Sequence, residues 1–169
     1  MKKVVATLAM GVLALFPVAS GSAAQHGYTC TISGSADFKP GLNTEPQELK
    51  FAFKGELTDC QSSSSDIAGA TVTAKGIVND ASCLSGQGEG VAKVKWEDGS
   101  KSTIEFTTED VAAGVFLTGS IAKSNSDVAQ TGDDVGAALA FDADATKCNS
   151  GEGITEAEFS GQAVGGSPS

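Results

Sequence analysis

The chain has 169 residues, with 21 Asp and Glu against 11 Lys and Arg for a formal net charge of −10, and every basic residue is a lysine. Without arginine there is no guanidinium fork to read guanine edges, and an acidic chain displaces no counterions from a polyanion. Nucleic acid and anionic membrane surfaces are therefore poor partners, and the length suits one domain with a single core.

The chain opens with Lys2 and Lys3, an apolar run over 4–16 and a small-residue stretch ending Gly21-Ser22-Ala23-Ala24. These are the three parts of a secretory leader cleaved after Ala24. The apolar run is shorter than the ~20 residues a bilayer span needs. The expected organisation is a leader over 1–24, one domain over 25–164 and a disordered tail over 165–169. The mature protein is expected to be secreted and extracellular, without membrane insertion.

From residue 28 onward the dominant signal is alternation with a period of two. Strands are expected over 28–33, 48–57, 70–78, 89–97, 101–108, 114–122, 137–143 and 154–164. The second shows the pattern well: Leu49, Phe51, Phe53 and Leu57 fall on one parity and Lys50, Lys54 and Glu56 on the other. Asp98-Gly99 sits between two alternating runs and predicts a two-residue type I′ hairpin, with positive φ at both central residues. A helical turn is predicted only over 108–113, capped by Thr108. Loops are expected at 40–46, 61–66 and 124–136. Eight short strands separated by Gly, Ser, Asn and Asp predict an all-β fold, an antiparallel two-sheet sandwich of immunoglobulin-like or Greek-key type.

Four cysteines in an exported chain predict two disulfides. Cys30, Cys60, Cys83 and Cys148 contain no C-x-x-C pair. Of the three connectivities, Cys30 to Cys60 and Cys83 to Cys148 is preferred, because strands adjacent in sequence usually pair and the latter two cysteines open a shared motif. Cys83-Leu-Ser-Gly-Gln-Gly and Cys148-Asn-Ser-Gly-Glu-Gly both read C-x-S-G-[QE]-G. They are expected to be similar bends on neighbouring linked strands.

Catalytic groups are sparse. The sole histidine, His26, would lie two residues from the mature N-terminus and is expected to fray, so a Ser/His/Asp triad is not expected. No cofactor is expected. Trp96 and Tyr28 stand alone in their residue types and are expected in the core. Asp142-Ala-Asp144-Ala-Thr146 begins like a calcium loop, but Lys147 and Gly153 occupy its glycine and glutamate positions. Asp127, Asp133 and Asp134 are weaker metal candidates. Phe116 has the parity opposite to Val115 and Leu117, which makes it a candidate partner contact if exposed.

The segments Cys30-Thr-Ile-Ser-Gly, Phe38-Lys-Pro-Gly-Leu, Phe53-Lys-Gly-Glu-Leu-Thr-Asp-Cys60 and Val94-Lys-Trp-Glu-Asp-Gly resemble small secreted bacterial proteins with four cysteines and no assigned function. The resemblance implies the compartment and the disulfides, and it carries no activity. The function expected is a non-catalytic binding or adaptor module whose partner is another extracellular or cell-surface protein. The alternatives are a structural component of the envelope or of an extracellular assembly, joined through a free strand edge, and a hydrolase using paired carboxylates.

Overall fold

The structure is a computed structural model that describes residues 26–63, 66–111 and 114–167; the expected leader lies outside them. Eight strands run in chain order: β1 (Gly27–Leu42), β2 (Gln47–Ser62), β3 (Ala70–Ala81), β4 (Gln87–Trp96), β5 (Lys101–Val111), β6 (Gly114–Ser124), β7 (Asp134–Asp142) and β8 (Ile154–Gly166). Each pairs antiparallel with its chain neighbours, and β1 also pairs with β8 from Gly27↔Gly166 to Asp37↔Glu156. The result is a closed up-and-down barrel, which corrects the expected sandwich. Alternation specifies one buried face per strand and the turns specify antiparallel neighbours, but both hold equally for a sheet folded into two layers and for one curled onto itself.

The parity read from the sequence decides what faces inward. Leu49, Phe51, Phe53, Leu57, Val94, Trp96 and Phe106 are buried, while Lys50, Lys54, Glu56, Lys93, Lys95 and Glu105 are exposed on the outer wall. Membrane-spanning barrels carry an apolar band outward and polar groups inward; this one has the reverse arrangement. Six phenylalanines, Phe38, Phe51, Phe53, Phe106, Phe141 and Phe159, make a belt across the middle with ring centroids 4.8–6.2 Å apart. Gly76 and Gly90 face each other across β3 and β4, and the rings fill the space their side chains would need. A Cβ on Gly90 would lie 2.7 Å from Phe106 Cζ and 3.0 Å from Phe51 Cζ.

One end of the barrel, the base, is shut. Trp96 is 1% exposed and meets Tyr28 edge to face at 5.3 Å. The Trp96 indole N–H donates to Ser102 Oγ at 3.0 Å, and that hydroxyl lies 2.9 Å from Ser124 Oγ. The segment expected as a free loop over 124–136 instead turns inward, burying Val128 and Ala129 completely. A bulge in β2 sets two residues, Asp59 and Cys60, against Cys30, and Asp59 takes φ 50°. The Cys30–Cys60 disulfide closes across that bulge with Cα atoms 4.1 Å apart.

Four other local expectations change. The predicted helical turn at 108–113 is replaced by β5, whose Thr108 to Val111 pair with Leu117 to Gly114 of β6; long-range pairing overrides one capped turn. The 98–99 turn has positive φ at Gly99 and not at Asp98. Trp96 N–H bonds Ser100 C=O at 2.9 Å, giving the longer hairpin with one left-handed glycine. β8 extends to Gly166 because Gly165 and Gly166 pair with Tyr28 and Gly27, so the expected disordered tail is ordered as far as Ser167. A 3₁₀ turn, Ala145–Asn149, was not foreseen. Asp144 caps it, accepting from Thr146 N–H at 3.0 Å and Thr146 Oγ1 at 2.6 Å, and these hydrogen bonds lower its pKa.

Candidate functional site

The opposite end of the barrel, the mouth, is finished differently. A cavity of about 280 Å³ lies above the phenylalanine belt. Its floor is Phe38, Phe51, Phe53 and Phe141, and its wall includes Leu42, Leu49, Val78, Val115, Ile154 and Ala157. A smaller void of about 80 Å³, lined by Ile32, Leu57, Ala74, Val94 and Phe159 among others, lies towards the base. Eight-stranded barrels have interiors that side chains just fill or that hold one small ligand. The mouth keeps its space because Ala81, Gly114, Ala143, Ala145 and Ala157 are small where they line it.

The Cys83–Cys148 disulfide joins the β3–β4 connection to the β7–β8 connection. In the order β1 to β8 around the barrel these two hairpins stand on opposite sides. The bridge is thus a strap over the mouth, where the sequence suggested a link between neighbouring strands. Both C-x-S-G-[QE]-G segments lie at its anchors. The β3–β4 anchor is held by Ser82, whose Oγ accepts from Leu84 N–H at 3.2 Å and from Ser85 N–H at 3.3 Å. The β1–β2 flank is stitched to the strap by Cys83 N–H to Asn43 C=O at 2.8 Å. Gly153, at φ 72°, packs its backbone against Gly41 and Leu42 beside it. The other flank is formed by Thr108, Gly114 and Val115. Leu84, 76% exposed, stands on the rim.

Thr108 is the polar feature of this wall. Its inward parity follows that of Phe106; it is 5% exposed, and its Oγ1 has no hydrogen-bond partner among the described residues. A buried polar atom without a partner costs about 1–3 kcal/mol, so each calls for an explanation; Ser100 Oγ, in the β4–β5 turn at the base, is the other such atom among the described residues.

At the base, His26 is not frayed. Its Nε2 lies 2.8 and 2.9 Å from the two carboxylate oxygens of Asp133, and its Nδ1 lies 2.9 Å from Ser167 Oγ. This Ser–His–Asp chain latches the two described termini together, since Ser167 N–H also bonds His26 C=O at 3.1 Å. None of the three residues lines the mouth cavity or the smaller void. Asp133 Oδ2 also accepts Gln130 N–H at 2.7 Å. Burial, and after it the Asp133 carboxylate, push the Tyr28 hydroxyl up to about 12.

The three acids named as metal candidates are not brought together. Asp133 is buried facing His26, while Asp127 and Asp134 are exposed; among the described residues no group of three or more His, Cys, Asp or Glu could hold a metal ion. Phe116 is 51% exposed on the outer wall, in register with Ala138 of β7. The loops expected at 40–46, 61–66 and 124–136 are not what frames the cavity; the two motif-bearing bends are. The repeated motif was the available signal for them. The signal available for Thr108 was the parity of Phe106 two residues earlier, but residue 108 also read as a helix cap, and that reading left it at the end of its strand. No family model, curated protein or solved structure matches this chain.

Proposed function

We propose that the protein is a secreted, non-catalytic binding module that holds a small apolar molecule in the mouth of its barrel. The observation that carries this reading is the apolar cavity of about 280 Å³ beneath the Cys83–Cys148 strap. Two disulfides support an oxidising, extracellular setting. Among the described residues the cavity lining contains hydrocarbon, small hydroxyls and disulfide sulfur, and no carboxylate pair faces into it. Among the described residues every strand is paired on both sides, which argues against joining through a free strand edge.

The test is titration with naphthalene, followed by its fluorescence. Saturable one-to-one binding is expected for the native protein, with loss of binding in Ala143→Trp, whose indole would occupy the cavity. Undiminished affinity in that variant, or no saturable binding at all, removes the mouth as the site.

A second reading is favoured by Phe116. The middle of the outer wall of β6–β8 presents Phe116, Thr118, Ala138, Ala140, Ser160, Gln162 and Val164, all exposed and uncharged, with the exposed acids Asp134, Asp142 and Glu158 towards its ends, whereas the outer wall of β2–β5 is studded with Lys and Glu. An extracellular or cell-surface protein would dock on that uncharged face. Phe116→Ser should then abolish capture of a specific partner from culture fluid while naphthalene binding stays unchanged; capture that survives the substitution rules the face out.

A further inference from the structure

Taking the mouth as the binding site, we infer that its ligand is an uncharged, largely hydrocarbon molecule whose polar group hydrogen-bonds Thr108 Oγ1. Size follows from the cavity. A 150 Å³ apolar cavity accepts benzene, so about 280 Å³ accommodates about 10–14 non-hydrogen atoms by the same scale.

That the ligand is uncharged follows from the described lining: among the described residues it includes no Lys, His, Asp or Glu. An ionised group placed among them would be desolvated with no counter-charge from these residues. The polar group follows from Thr108. Its register neighbours are Gly88 on β4 and Leu117 on β6, which bring no polar side chain to it. The other buried hydroxyl at the mouth, on Ser82, is already engaged by the backbone of Leu84 and Ser85. The hydroxyl of Thr108 is both donor and acceptor, so an alcohol, phenol or carbonyl satisfies it equally.

The experiment compares naphthalene, 1-naphthol and 1-naphthoate at neutral pH in the native protein, Thr108→Val and Thr108→Ser. Valine keeps the shape of threonine and removes the hydroxyl; serine keeps the hydroxyl. The expected result is that Thr108→Val weakens 1-naphthol about five- to tenfold, the worth of one hydrogen bond. Naphthalene should stay within about twofold, Thr108→Ser should behave as the native protein, and 1-naphthoate should bind far more weakly than 1-naphthol. The thermal midpoint of unliganded Thr108→Val should equal or exceed that of the native protein, since an unpaired hydroxyl is removed; should valine fail to pack, Thr108→Ala makes the same comparison. Equal losses for naphthalene and 1-naphthol, or no loss for either, overturn the role of Thr108 and leave the mouth standing. Tight binding of 1-naphthoate overturns the uncharged ligand. Failure of all three compounds to bind the native protein takes down the mouth reading itself.

Discussion

The base and the mouth are built from the same eight alternating strands, yet they treat space in opposite ways. At the base the β6–β7 connection folds inward, Val128 and Ala129 fill the bore, and the indole N–H of Trp96 is satisfied by Ser102. At the mouth two hairpin connections reach over the opening and are joined by Cys83–Cys148, small residues leave a cavity, and the Thr108 hydroxyl has no partner among the described residues. A barrel of this size needs no opening for stability. Filling one end and leaving a cavity at the other separates the part that packs the fold from the part to which binding is assigned in the proposed function.

The largest expected effect comes from breaking the base. Trp96→Ala removes the most voluminous fully buried side chain and should lower the unfolding free energy by about 3–5 kcal/mol, read from the denaturant midpoint. Ala143→Trp, at the mouth, should change it far less. Equal costs at the two ends would erase the division of labour.

Next in size is a pH effect confined to the base. Tyr28 is buried, with its pKa raised from 10.0 to about 12. A raised folded-state pKa means that the native state holds the proton more tightly than the unfolded chain. The resulting stabilisation is complete below pH 10 and is lost as pH climbs towards 12. Two pKa units correspond to about 3 kcal/mol. Tyr28→Phe should be flat over that window relative to the native protein. Because the chain has one tyrosine, absorbance at 295 nm follows this group alone, and a midpoint near 10 in the folded protein would show that the base admits water.

Gly90→Ala probes the boundary between the two ends. The added methyl would press on the Phe51 and Phe106 rings and lie 2.8 Å from Lys75 C=O, so a loss of about 1–3 kcal/mol is expected from overpacking. Thermal unfolding measures it. A neutral substitution would mean that the rings under the cavity can move aside, making the floor of the mouth adjustable.

This contrast was only half legible in the sequence. Alternation placed all eight strands and assigned Phe51, Phe53, Val94 and Trp96 to the interior, because burial of one face is a local property. Closure was not legible: the pairing of β1 with β8 joins positions such as Ile32 and Gly161, and no local pattern encodes it. The cysteine pairing was read from adjacency, and adjacency holds for Cys30–Cys60. For Cys83–Cys148 the pairing is the expected one but the geometry is not, since the bridge crosses the mouth. His26 reads in the sequence as a terminal residue; the closed barrel brings the two described termini together, and Asp133 and Ser167 meet it there. Thr108 carried the residue type of a helix cap, and its position opposite Gly88 emerges only from the register of β4 and β5.

The smallest expected effect on stability is at the rim. Leu84 projects from the bend between Cys83 and Ser85 and lies largely in solvent. An exposed side chain that supports no packing contributes within about 0.5 kcal/mol, so Leu84→Ser should leave the unfolding midpoint where it is. Its place on the lining of the mouth gives it a different part in the proposed function: a hydrocarbon group at the entrance would shield a bound apolar molecule from water and slow its escape. Leu84→Ser should therefore raise the dissociation rate of naphthalene a few fold in stopped-flow measurements, with little change in association, since related binding sites differ mainly in how fast they release. A fall in stability above about 1 kcal/mol would show instead that Leu84 is covered in solution, and concentration dependence of that loss would identify the cover as a second copy of the chain.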